Sequence, residues 1–158
     1  MRKLLLLPLA IMMAACSSPE IQVMSFNIRL GVANDGENSW PNRCPATIAM
    51  LQDQKPDIFG LQEAFDFQIG YINENLPVYD NVGVGRDDGV REGETMAIFW
   101  NTEKIELLDW GTYWLSETPE VPSRGWDAAC IRTATWTKLR IKDCGKEFFY
   151  VNTHLDHR

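Results

Sequence analysis

Cysteine and histidine are scarce in this 158-residue chain, with four of the first and two of the second. No spacing among them resembles a zinc site, which argues against a zinc-built fold. Basic charge is also short: 15 Lys and Arg stand against 22 Asp and Glu, a net charge of −7. Residues 1–15 carry Arg2 and Lys3 and no acid, so without them the balance is 13 against 22, or −9. A broad basic groove that holds nucleic acid by counterion release is therefore poorly supported. An anionic substrate has to be held locally, by a metal ion and a few placed arginines, because the overall field repels it. Low-complexity tracts, repeats and long linkers are missing, and Gly and Pro are scattered as turn punctuation. The N-terminal apolar run, Leu4 to Met13, is too short to span a bilayer.

What is present suits one ordered domain, since 45% of the residues are hydrophobic and the length falls within the usual range. The opening MRKLLLLPLAIMMAAC has two basic residues, an apolar stretch and small residues before Cys16, the form of a secretory signal. Its ending resembles a bacterial lipobox, with Met13 where Leu is more usual. That resemblance implies a signal peptide over 1–15, a lipid-modified Cys16 on a tether over 16–20, and a folded domain over 21–158. The expected location is the bacterial cell envelope, after export, with the membrane reached through the lipid. Several acyl chains on one residue anchor far better than one. Disulfides persist in such a compartment. Cys130 and Cys144 flank the arms of a predicted hairpin and could pair, while Cys44 reads as a buried structural thiol.

The apolar run Ile21 to Ile28 reads as a buried strand, Gly31 to Trp40 as a polar loop, and the segment from Pro45 to Pro56 as a helix with proline in its first turn. A second strand, Asp57 to Gln62, completes a βαβ unit, so the two strands are expected to be parallel. A second helix is predicted from Asp66 to Leu76. Short strands follow over Tyr79 to Val84, Thr95 to Trp100, Ile105 to Trp110, Ile131 to Ile141 and Glu147 to Thr153. The expected class is α/β (α+β), with a mostly antiparallel sheet extending a parallel start.

Four polar residues stand where apolar strands run out: Asn27 after VMSF, Glu63 after DIFGLQ, Glu94 before TMAIFW, and His154 after FFYVNT. If the Glu94 strand runs antiparallel to the others, all four reach one rim of the sheet. Alternation puts Asn152 and His154 on one face, above Tyr150 and Phe148. Each residue alone has an ordinary explanation as a turn former, cap or surface group; their joint placement is the signal. A hard divalent ion prefers oxygen ligands and keeps several waters, so a single carboxylate such as Glu63 can hold it. A histidine oriented by a carboxylate, His154 with Glu94, can move protons near neutral pH. Arg132, at a strand start, is the first candidate to brace a phosphate, with Arg86 and Arg124 behind it.

The segments MSFNIR (24–29), PDIFGLQEA (56–64), GETMAIFW (93–100), WLSETPEVPSRGWDAA (114–129), RTATW (132–136) and VNTHLDHR (151–158) resemble, in order, motifs of the endonuclease/exonuclease/phosphatase superfamily. The resemblance covers nearly everything from Ile21 onward. It implies a four-layer αββα sandwich, of which this chain is the first half. It further implies a Mg2+ (or Mn2+) site at Glu63 with Asn27 beside the metal and the scissile phosphate, Glu94 orienting His154, His154 as general acid or phosphate-binding histidine, and a phosphate contact from Arg132; Asn152, on the same strand face as His154, is a further phosphate-binding candidate. The implied substrate is a phosphorylated small molecule, a lipid head group or a nucleic acid; no protein partner is evident. The family's later GDFN-like and SDH-like segments are absent before Arg158, so a truncated second half, an uncovered sheet face and an inactive fragment are expected. The competing expectation is a non-catalytic surface lipoprotein or carbohydrate-binding module that uses its six tryptophans.

Overall fold

The computed structural model describes residues 20–156, so the predicted signal segment, Cys16 and His157 lie outside the described residues. The chain forms β1 (Val23–Asn27), α1 (Trp40–Gln54), β2 (Ile58–Gln62), α2 (Asp66–Asn75), β3 (Tyr79–Val82), β4 (Ile98–Asn101), β5 (Ile105–Trp114), β6 (Thr133–Ile141) and β7 (Glu147–Thr153), with a short 3-10 turn at Gly36–Asn38. Among the described residues no helix is long and apolar enough to cross a membrane.

The run IFGLQ of β2 is buried along its whole length, the mark of a strand covered on both faces. It pairs in parallel with β1, from Val23 opposite Ile58 to Asn27 opposite Gln62, and antiparallel with β4. The order of this sheet is β1-β2-β4-β3. Its Phe59 and Phe99 stack at 4.7 Å and face Ile48 and Leu51 of α1 and Ile69 and Ile72 of α2. The alternate residues Ile58, Ile98 and Trp100 face the other way, where they meet Ile105 and Leu139 of a second sheet, β5-β6-β7. The described residues thus stack three layers, helices on a sheet on a sheet.

The expected single sheet is therefore two. Sequence patterning sees each strand alone, while β5 turns away to begin a second layer. The four-stranded sheet is covered on both faces; it is the outer face of β5-β6-β7 that leaves Tyr113, Phe149 and Val151 exposed. Helix α1 begins at Trp40, five residues before the expected start, with Pro41 in its first turn and Pro45 inside it. Pro45 is tolerated there because the Pro41 carbonyl it cannot serve takes the Cys44 thiol instead, at 3.5 Å. Cys44 is buried and free, as expected of a structural thiol. Cys130 and Cys144 are also free. Cys130 precedes β6 and Cys144 lies in the turn after it, so a nine-residue strand, roughly 30 Å at 3.3 Å per residue, keeps them apart.

Candidate active site

Because β1 and β2 are parallel and β4 opposes them, Asn27 at the end of β1, Glu63 just past β2 and Glu94 just before β4 share one rim. Strand β7 ends beside the start of β6, which brings His154 and Arg132 to the same rim from the second sheet. Isolated pairing of Ala64 with Thr95 holds the Glu63 and Glu94 segments together.

Asn27 donates from Nδ2 to Glu63 Oε1 at 2.9 Å, and the Leu30 amide donates to Oε2 at 3.0 Å. The backbone of Glu63 is left-handed, with φ of 61°, a conformation that costs a non-glycine residue about 1–3 kcal/mol and concentrates at functional sites. Burial pushes the Glu63 carboxyl up, but the Asn27 amide, the Leu30 N–H and the neighbouring His154 and Arg29 outweigh it and hold the group below the ordinary glutamate range. It is therefore an anion at neutral pH. The loop after β1 is set by two side chains that sequence reasoning missed. Fully buried Gln68 accepts from Gly31 N and Phe65 N and donates to the Arg29 carbonyl, and Arg43 donates to the carbonyls of Ile28 and Arg29.

Glu94 is buried, and its Oε1 takes a 2.9 Å ion pair from Arg86 Nη2. Its Oε2 stands 4.0 Å from His154 Nδ1, and neither atom has another hydrogen-bond partner. Such a separation is beyond a direct hydrogen bond, and catalytic pairs commonly tighten only around substrate. Arg86, expected as a reserve phosphate contact, is thus the anchor of Glu94; its position eight residues upstream gave no hint, since the loop between them folds back with Arg86 N on Glu94 O at 3.0 Å.

Arg132 is buried and gives Nε and Nη2 to Asp156 Oδ1, at 3.2 and 3.0 Å, leaving Nη1 outside this pair. Asp156 Oδ2 accepts from the Ala129 amide at 2.9 Å. Asp156 lies in the VNTHLDHR segment, and continuing the alternation Asn152, His154, Asp156 points to it. Asn152 lies deeper than a phosphate contact requires. Its two N–H groups donate to Leu61 O (2.7 Å) and Ala97 O (3.0 Å), and its Oδ1 accepts from Gln62 Nε2 (2.7 Å). Both donors are spent on bracing one sheet against the other, so its expected phosphate role is replaced by a structural one. Arg124 sits in an exposed loop.

Among the described residues no three His, Cys, Asp or Glu side chains gather into a full metal cage. One ionised carboxylate beside an amide carbonyl still fits a hard cation that keeps most of its waters, and does not fit zinc.

No protein-family model matches the chain. An endonuclease/exonuclease/phosphatase family protein of Bacteroides thetaiotaomicron matches it in structure with a TM-score of 0.83 and 45% identity, over 87% of this chain and 50% of that one. A mannosyl-6-phosphatase of the same organism matches with a TM-score of 0.84 and 44% identity, over 87% of this chain and 52% of that one. An uncharacterized protein of Acanthamoeba polyphaga mimivirus is 28% identical over 145 residues, 86% of this chain and 54% of that protein. The fold is that of the endonuclease/exonuclease/phosphatase structures, and these similarities support that superfamily. The chain spans about half the length of the relatives it matches.

Proposed function

We propose that these residues form the metal-holding and phosphate-bracing side of a metal-dependent phosphoester hydrolase, acting on a small phosphorylated molecule. One observation carries the reading: Asn27 with Glu63 and Glu94 with His154 converge from two sheets on a single rim. In this proposal Glu63, with Asn27 beside it, holds Mg2+ or Mn2+, which when bound draws charge from the phosphoryl oxygens. His154 turns Nδ1 toward Glu94, so Nε2 is the nitrogen left to hydrogen-bond a phosphate oxygen or protonate a leaving group. Arg132, braced by Asp156, offers Nη1 to the phosphate. The 44% identity to a mannosyl-6-phosphatase favours a sugar phosphate over a nucleic acid or a lipid head group, and the acidic balance agrees. In this reading the groups that activate water opposite the leaving group lie outside the described residues of this rim. We also propose export, cleavage before Cys16 and a lipid anchor in the cell envelope, with the domain folding from residue 21. The binding-module alternative is weakened because Trp40, Trp100 and Trp114 are buried.

The test is phosphate release from mannose 6-phosphate and bis(p-nitrophenyl) phosphate by the protein at its full encoded length, with Mg2+, with EDTA, and as Glu63→Ala. A loss of about a hundredfold or more is expected in EDTA and in the variant. Equal rates in EDTA would end the metal role. Independently of activity, Mn2+ should broaden the NMR signals of Asn27 and Leu30 in the wild type and leave them sharp in Glu63→Ala.

A further inference from the structure

Trp126 is the most exposed large apolar side chain among the described residues, at 71%. Its backbone is left-handed, with φ of 50°, so an unfavourable conformation is spent on keeping an indole in water. The loop around it is tightly held. Gly125 packs so closely that a Cβ there would lie 2.3 Å from Ser116 Cα, Ser116 and Ser123 share a 2.6 Å hydrogen bond, and the Ala129 amide is tied to Asp156. The indole is presented by an ordered frame.

What it faces is the rim already described. Trp126 lines a cavity of about 190 Å³ together with Asp127, Arg132, Leu155 and Asp156. Leu155 and Asp156 directly follow His154, and Arg132 is the phosphate-bracing candidate. An open aromatic face therefore stands beside the place where a phosphate is to be held, with the Asp127 carboxylate on the same wall. A pyranose ring suits that wall. Its C–H face carries slight positive charge and stacks on the negative face of an indole, while its hydroxyls need acceptors at the edge.

We infer that Trp126 is the platform on which the sugar ring of a hexose phosphate stacks while its phosphate sits by Arg132 and His154. This rests on the phosphoester reading above and assigns the side chain that holds the sugar of its substrate. Trp40, at the start of α1, and Trp114, at the end of β5, are buried and take no such part.

Protein labelled with 5-fluorotryptophan and observed by 19F NMR tests the platform without any turnover, the Trp126 signal being assigned with Trp126→Phe. Methyl α-mannopyranoside and mannose 6-phosphate should both shift that signal saturably, and inorganic phosphate should leave it in place. No shift with either sugar, or a shift with adenosine monophosphate alone, would overturn the inference. In kinetics, Trp126→Ala should raise KM for mannose 6-phosphate about tenfold, with kcat and the turnover of glycerol 3-phosphate within twofold of wild type, and Trp126→Phe should recover most of the loss. Equal losses on both substrates would also refute it. If no phosphate is released from any substrate, the hydrolase reading fails while the 19F measurement still decides the platform.

Discussion

A methyl group added at Gly60 is driven straight into the seam between the two sheets. A Cβ there would lie 2.7 Å from Asn152 Cγ, 2.8 Å from its Oδ1 and 2.9 Å from Tyr150 Oη, all well inside contact distance. Relief by displacing Asn152 breaks its bonds to Leu61 O, Ala97 O and Gln62 Nε2. Overpacking costs about 1–3 kcal/mol and each buried polar group left unpaired about 1–3 kcal/mol, so Gly60→Ala should cost about 3–5 kcal/mol. That is a large part of the roughly 5–15 kcal/mol that holds a domain folded. Asn152→Ala alone strands Leu61 O, while Gln62 Nε2 keeps Ser25 Oγ and Gly60 O and Ala97 O keeps the Leu61 amide, so about 1–3 kcal/mol is expected. In the double variant two of the three clashing atoms are gone. Its cost should fall short of the sum of the single costs by about 1–3 kcal/mol. Urea unfolding followed by tryptophan fluorescence measures all four proteins, with equal m-values showing that the unfolded states are comparable. Additivity within about 0.5 kcal/mol would show that Asn152 does not occupy the space glycine leaves, and the account of the seam would be wrong.

Arg86→Met removes the 2.9 Å ion-pair partner of buried Glu94 and should cost about 3–5 kcal/mol in the same assay, with Arg86→Lys intermediate. A variant as stable as wild type would show that Arg86 does not anchor Glu94. Asp88 accepts the amides of Val90, Arg91 and Glu92 on one oxygen, and these bonds, that from Val90 foremost, hold its carboxyl below the ordinary aspartate range. Since the folded value is the lower one, its stabilisation of the Arg86–Glu94 loop is full above the ordinary aspartate range and is lost as pH falls through the depressed value. A 13C carboxyl titration should find Asp88 titrating below the ordinary aspartate range; a midpoint within or above that range would contradict the loop geometry.

Much of the frame was legible along the chain. The β7 bounds, Glu147 to Thr153, and the parallel β1-α1-β2 unit follow from alternation, apolar runs and turn residues, all of them local signals. The early start of α1 escaped because Ser39, Trp40 and Pro41 read as loop until Trp40 packs edge-on against Tyr71, 31 residues away. The second sheet escaped because a strand's pattern does not name its neighbour. At the site, Asn27, Glu63, Glu94 and His154 were marked by their place at strand ends. Arg86, Gln68 and Asp156 were not, because each matters through a partner: Glu94, the Arg29 carbonyl, Arg132.

The sequence alone determined the alternation of the strands, the polar residues that close them, the charge deficit and the motifs' order, since each is written in neighbouring residues. Tertiary structure decided that β5 to β7 form a separate layer, that Asn152 braces the sheets, that Arg86 holds Glu94, and that Trp126 is the most exposed tryptophan among the described residues. Those outcomes depend on groups as far as 91 residues apart meeting within about 3 Å, and no local pattern encodes that distance.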